Sequence, residues 1–247
     1  MLRLIVDLNP ADPALGLALD EALLESAKNM AADTLRLWVN DHSVIIGRSQ
    51  SVACEVDLPH LRKLHIPVIR RISGGGAVYH YPGNLNMSLY LKNGRTLGSV
   101  SEVYATIGEA IATALSKHSI DARVEGNIIT VGGEKIAGTA QARRGGSLLY
   151  HMSLLVFPSQ VPIESLLFAM QGSYEPTRVA SHPRPVTSLS EVSPGLKMES
   201  LVQTLSDEMA GALEKKLQLG TYTGEEMERA TQLRTQKYRR DEWNLSH

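Results

Sequence analysis

The stretch RRISGGGAVYHYPGNLN runs from Arg70 to Asn86 and puts two arginines and a serine in front of three successive glycines. Glycine loses more backbone freedom on folding than any other residue, so three in a row call for a reason. One reading is a tight loop between strands. The other is a backbone that must lie against a ligand, its bare N–H groups forming a nest for an anion. Arg71 beside it supplies a fixed, planar positive charge suited to phosphate. No Gly-Lys-Ser/Thr closes the stretch, and it lacks the spacing of a dinucleotide fingerprint, so any phosphate site here is of another type.

A second stretch, GGEKIAGTAQARRGGSLLYH, sets Lys135 after a tight turn and before a strand of small residues, Ala137, Gly138, Thr139 and Ala140. The lysine reads either as an exposed charge at a strand start or as a lone cation at the edge of a groove that the small residues leave open. His80 and His151 have no metal-ligand spacing to each other or to acidic residues. Cys54 stands in SVACEVD without a reactive motif around it, and no G-x-S-x-G elbow is present.

These groups need a scaffold, and the pattern of the chain outlines one. Leu2 to Asp7 reads as a strand, and Asp12-Pro13 as an N-cap followed by proline at the first helical position. LRLWV and SVIIG read as strands joined by Asn40-Asp41-His42, and PVIRR as the strand leading into the glycines. LNMSLYL alternates, with Leu85, Met87, Leu89 and Leu91 on one face, the pattern of a half-buried strand. Val103, Ile107, Ile111 and Leu115 mark a helix over about 100–118. NIITV and KIAGTAQA follow as a hairpin, and Gly145-Gly146 turns into SLLYHMSLLVF. A short helix is expected near Val161 to Met170. A proline- and serine-rich loop, QGSYEPTRVASHPRPVTSLSEVSPG, comes next, ordered across the surface or mobile. Two closing helices are expected, over about 198–217 and 224–238. Strands and helices do not alternate regularly, so the fold class is α+β, with mixed, largely antiparallel sheets flanked by helices.

The 247 residues are 43% hydrophobic, enough for one catalytic domain over 1–247, with a helical C-terminal segment from about 158. A formal net charge of -1 gives no basic field for nucleic acid, and the single cysteine allows no internal disulfide and suits a reducing compartment. The N-terminal MLRLIVDLNP is too short and too soon interrupted for a signal peptide, and no run reaches membrane-spanning length. The expected setting is the cytoplasm, with no membrane partner.

RRISGGGAVYHYPGN and GEKIAGTAQARRGGSLLYHMSLL, in this order, resemble the lipoate–protein ligase A family, which shares a fold superfamily with biotin ligases and octanoyltransferases. LRLWVNDHSVIIGRSQ, RVASHPRPVTSLSE and YRRDEWN extend the resemblance over nearly the whole chain. It implies a reaction in two steps. Lipoate (or octanoate) and ATP with Mg2+ give an acyl-adenylate and pyrophosphate. A lysine of a lipoyl domain of a 2-oxoacid dehydrogenase E2, or of glycine-cleavage H protein, then takes the acyl group.

By the same resemblance, Lys135 contacts the acid's carboxyl and the α-phosphate. Arg71, Ser73, Gly74, Gly75, Gly76 and Ala77 form the loop around them, with His80 and Asn84 in the same motif. Asn127, Gly138, Thr139 and Ala140 line the site, His151 lies near the acyl pocket, and Trp38 walls the alkyl tail. An apolar slot gains about 0.8 kcal/mol per buried methylene. No protein metal ligand is expected.

The chain departs from the family pattern in two places. Asn127-Ile128 stands where the family has Asn-Asp, and His80-Tyr81 where it has His-Asp. The chain stops soon after Trp243-Asn244, where larger members continue into an accessory domain, so the expectation is the large subunit of a bipartite ligase with a separate accessory protein. The alternatives are an acyl-carrier-dependent transferase using a cysteine, for which Cys54 is the only candidate, and a non-catalytic acyl-binding adaptor. A biotin ligase would alternate Gly and Arg in its nucleotide loop, unlike RRISGGGAV. Arg143 and Arg144 are candidates for partner docking or for closing over the adenylate.

Overall fold

A computed structural model describes the chain except residues 31, 94–96, 172–173, 176–178 and 247. The expected α+β architecture is present as an eight-stranded sheet beside a three-stranded one. Strands β1 (Leu2–Ala11), β2 (Asp33–Asn40), β3 (Ser43–Ile46), β4 (Val68–Arg70), β5 (Val78–His80) and β6 (Asn84–Leu91) come from the first third of the chain. Strands β7 (Ala122–Glu125), β8 (Ile128–Val131), β9 (Glu134–Arg144), β10 (Ser147–Leu155) and β11 (Leu217–Leu219) follow. The large sheet runs β11-β1-β2-β6-β10-β9-β8-β7 and the small one β4-β3-β5. The large sheet is antiparallel except where β1 pairs with β11 and β2.

The helices are α1 (Pro13–Ser26), α2 (Val52–Glu55), α3 (Leu58–Lys63), α4 (Val100–Ser116), α5 (Leu189–Val192), α6 (Met198–Ala212), α7 (Gly224–Leu233) and α8 (Asp241–Asn244). One face of the large sheet is covered by α4 and α6. Val103, Ile107, Ile111 and Leu115 of α4 meet Leu201, Leu205 and Met209 of α6, and the sheet's Leu35, Leu37, Leu85, Met87 and Leu89, all buried. Burying each such side chain contributes about 1.5–3 kcal/mol, which makes this face the main core.

The other face carries α1, and α7 packs against α1. This cover changes the reading of β6. Its alternation suggested one wet face, yet all eight residues are buried. Asn84, Asn86, Ser88 and Tyr90 point away from the apolar core into a polar interior roofed partly by α1.

β2 and β3 are joined by the expected turn after Asn40, which carries β3 to β4 and β5 in the small sheet. Other elements differ from expectation. The region 161–170 forms two short 3-10 turns rather than one helix. The helix from Met198 ends at Ala212, and Leu217–Leu219 continues as an edge strand on β1. The helix from Gly224 becomes a π-turn over Arg234–Tyr238. Of the proline-rich loop, residues 172–173 and 176–178 lie outside the described residues, while 181–186 is placed against the site.

Asp12 joins the two ends of the chain. Its Oδ1 accepts from the Ala14 N–H at 2.9 Å as the N-cap of α1, while Oδ2 accepts from Arg234 at 2.7 Å and Arg239 at 2.6 Å. Burial pushes its carboxyl up, but the two arginines outweigh that and hold it below its ordinary value. Asp12→Ala removes the cap and both partners, and is expected to lower stability by about 1–2 kcal/mol, read as a shift of the urea midpoint at unchanged slope.

Candidate functional site

Strand register assembles the site. On the face of the large sheet away from the main core, one row of paired residues crosses five strands: Trp38, Asn86, Ser153, Gly138 and Ile128. The next row is Arg36, Ser88, His151 and Ala140. The first row floors a cavity of about 160 Å³, walled by the glycine loop, β5 and the segment 181–186.

Toward the Ile128 end of the row Lys135 lies over Gly138. A Cβ on Gly138 would stand 3.2 Å from Lys135 Nζ, so glycine leaves the room that the ammonium occupies. The backbone of Lys135 is gripped on both sides by the segment after the cavity wall: its N–H donates to Pro185 O at 2.8 Å and its carbonyl accepts from Thr187 N at 3.2 Å. The side chain is half-buried, with no ion-pair partner among the described residues. Burial lowers its pKa, and the neighbouring charges of Arg71 and Arg184 lower it further. A cation held this way favours an anion beside it.

The glycine loop is built around Arg71. Its Nε donates to Ser73 Oγ at 3.0 Å and Gly74 O at 3.1 Å, and its Nη2 to Gly74 O at 2.6 Å and Gly76 O at 2.8 Å. Nη1 reaches Ile45 O on β3 at 3.3 Å. The expected ligand cation is thus 5% exposed and engaged with loop carbonyls. Burial pushes its pKa down to about 10, and no carboxylate neutralises it among the described residues. Of the three glycines, Gly75 needs its residue type for a left-handed backbone (φ +85°). Gly76 needs it because a Cβ would meet Ser181 Oγ at 2.8 Å, whereas Gly74 faces open space.

Ser181 is a latch. Its Oγ accepts from the Ala77 N–H at 2.8 Å and from Gln50 Nε2 at 3.1 Å, and donates to Glu55 Oε2 at 2.7 Å. Tyr174 Oη bridges to the other Glu55 oxygen at 2.5 Å. Beneath the loop, Arg70 donates to the carbonyls of Gly47, Arg48 and Gln50 and to Trp243 O, while Trp243 Nε1 donates to Arg70 O. The closing segment with Trp243 and Asn244 therefore braces the turn on which the glycine loop rests.

A buried polar chain runs from the loop into the sheet. Ser73 Oγ lies 2.6 Å from His151 Nε2, and His151 Nδ1 lies 3.2 Å from Asp20 Oδ2. Asp20 Oδ1 accepts from Arg36 Nη1 at 2.9 Å, Ser88 Oγ at 3.0 Å and Tyr90 Oη at 2.6 Å. Burial pushes the Asp20 carboxyl up, but His151 and Arg36 prevail and keep it below its ordinary value. Arg36 sits 4.0 Å over the Trp38 ring, whose Nε1 donates to Ser88 Oγ at 3.1 Å. Trp38 is thus fixed in place at the far end of the row.

Lys135, Arg71, Gly75, Gly76, Ala77, His80, Asn127, Gly138, Thr139, Ala140, His151 and Trp38 share the cavity wall, together with Ile128. Ser73, Gly74 and Asn84 stand behind it. Asn84 holds a turn, its Oδ1 accepting from Tyr81 N at 3.0 Å. Tyr81, at the second departure from the family pattern, donates to Phe157 O at 2.7 Å. Arg144 pairs with Glu21 and Glu25, and Arg143 donates to Gly98 O. Cys54 is not in the cavity wall. Sequence reading did not find Asp20, Asn86, Ser88, Glu55 or Ser181. Each is an ordinary polar residue in its local window and gains meaning only across strands.

Residues 12–210 match the family described as the lipoyl protein ligase A/B catalytic domain. The chain belongs to this family. It is 30% identical over 258 residues, 98% of this chain and 96% of the relative, to lipoate-protein ligase A subunit 1 of Thermoplasma acidophilum. It is 42% identical over 154 residues to a putative lipoate-protein ligase A of Aeropyrum pernix, a match that spans 62% of this chain and 57% of that protein. Among solved structures, a lipoate-protein ligase A bound with ATP superposes with a TM-score of 0.86 at 29% identity, covering 98% of each chain. A chain from the structural analysis of an archaeal lipoylation system, a bipartite lipoate protein ligase and its E2 lipoyl domain from T. acidophilum, gives 0.85 at 29% identity, covering 99% of this chain and 95% of that one.

His80 gives the site a pH signature. Burial, then the charges of Arg71 and His151, push its pKa down to about 3. The unfolded chain binds a proton below about pH 6.5 that the folded chain does not, so stability is full above that pH and falls as pH drops toward 3. Between pH 7 and 5 the expected loss is on the order of 2 kcal/mol by urea denaturation, with a shallower slope in His80→Asn.

Proposed function

We propose that this chain is a lipoate–protein ligase, forming lipoyl-AMP from lipoate and ATP and passing the lipoyl group to a lysine of an acceptor protein. The observation that carries this reading is a cation, Lys135, without a carboxylate partner among the described residues, at the opposite side of the floor from Trp38. From Gly138 to Trp38 is three strand spacings, about 14 Å, room for a medium-length acid lying across the strands with its head at Lys135.

In the first step an oxygen of the lipoate carboxylate attacks the α-phosphorus of ATP, and pyrophosphate leaves with the bond's electron pair. Lys135, with Arg71 behind it, stabilises the charge gathering on the phosphate. In the second, the neutral amine of the acceptor lysine attacks the acyl carbon, AMP leaves, and the amine loses its proton. Among the described residues, no group of three or more His, Cys, Asp or Glu side chains is placed to hold a metal. Ile128 leaves the floor apolar where the family places a carboxylate. A Mg2+ ion would come with the nucleotide, held by its phosphates.

The acceptor we propose is an E2 lipoyl domain, with glycine-cleavage H protein as a further substrate. An accessory protein completes adenylate formation, a reading supported by the relative that bears the name of a subunit. We place the protein in the cytoplasm, as a single catalytic domain. Among the described residues, no helix is long and apolar enough to cross a membrane.

Intact-mass analysis of a lipoyl-domain apoprotein tests the reading. One tube contains the chain, lipoate and Mg-ATP; the other contains lipoyl-AMP in place of both. Transfer from lipoyl-AMP is expected, and transfer only there assigns adenylate formation to the accessory protein. Lys135→Ala should slow transfer by about 10²–10³-fold, while Cys54→Ser should leave it unchanged. Transfer in neither tube contradicts the proposal.

A further inference from the structure

Asn86 lies in the cavity floor between Trp38 and Ser153, one strand in from the Trp38 end. It is 2% exposed, and neither its Oδ1 nor its Nδ2 has a hydrogen-bond partner among the described residues. The other buried polar side-chain atoms in that condition belong to Arg36, Asn40 and Ser147, and none of these residues lines the cavity. The neighbours of Asn86 on the same strand face are engaged. Asn84 bonds Tyr81 N and Ser153 Oγ, and Ser88 bonds Trp38 and Asp20. An unpaired buried carboxamide is destabilising, and a leucine here would avoid that and suit a plain hydrocarbon slot.

The position along the row matters. Asn86 is two strand spacings, about 10 Å, from Gly138 and one from Trp38. An acid with its carboxylate at Lys135 therefore brings its far end, not its head, to the carboxamide. We propose that Asn86 is a specificity-determining residue that selects acids whose far end carries a heteroatom, a sulfur-containing ring or a hydroxyl, over unsubstituted alkanoates. This rests on the ligase reading above and extends it to a preference for lipoate over octanoate. A site built to hydrogen-bond a substrate group rejects the analogue that lacks it, because the buried partner is then left unpaired.

The test is calorimetric titration of the whole chain with lipoate, octanoate, an ω-hydroxylated octanoic acid and nonanoic acid. The wild type is expected to bind lipoate about tenfold more tightly than octanoate. It should bind the hydroxylated acid at least as tightly as nonanoic acid, which has the same chain length. In Asn86→Leu both preferences should collapse, with the alkanoates binding more tightly than to wild type. Equal binding of lipoate and octanoate by the wild type, weaker binding of the hydroxylated acid, or ratios unchanged in Asn86→Leu overturns the role of Asn86. Should Asn86→Leu fail to fold, the hydroxylated and methyl-ended pair on the wild type decides alone. Failure of the wild type to bind any of the acids or lipoyl-AMP is a different outcome: it removes the ligase reading itself.

Discussion

The site depends on a buried guanidinium held by neutral groups. Arg71 spends its donors on a serine hydroxyl and backbone carbonyls, and in doing so bends the glycine loop around itself. Because those acceptors carry no formal charge, the positive charge is oriented but not cancelled. Lys135 adds a second cation at the same wall, and after burial the charge of Arg71 lowers its affinity for protons further. Burial of cations without counterions is unfavourable in the empty protein, and an anionic head group relieves it.

The surrounding structure serves to keep that arrangement in place. Arg70 and the closing segment brace the turn under the loop, and the Ser181 latch presses on it from outside. The Ser73–His151–Asp20 chain ties it to Arg36 and so to Trp38. Head and tail ends of the cavity are thus joined by one continuous buried network. A displacement at either end must be shared by the other, since such networks act as units rather than as separate bonds.

How much of this was legible in the sequence follows from where information resides. Three glycines, a cap such as Asp12-Pro13 and a lysine after a turn announce themselves locally, and the helix over 100–116 does so by period. The cavity floor does not, because Trp38, Asn86, Ser153, Gly138 and Ile128 come from five strands and meet only through register. The alternation in LNMSLYL was legible, but the meaning of its polar face was not. That face implied solvent; with α1 over it, Asp20 accepts from Ser88 and Tyr90, and the strand is buried on both sides. The short strand at Leu217–Leu219 was missed because three residues carry too little pattern and exist through pairing with β1. Arg71 was found as a cation, but its engagement with the loop depends on a fold-wide turn that no local window contains.

The central claim is that the acid lies across the strands, head at Lys135 and tail toward Trp38. A crystal structure of the whole chain with lipoate bound tests it most directly. The account predicts the carboxylate beside Lys135 Nζ above Gly138, with the chain passing over Ser153 and Asn86 to end against Trp38. A carboxylate at the Trp38 end, or lipoate bound outside this cavity, would contradict it.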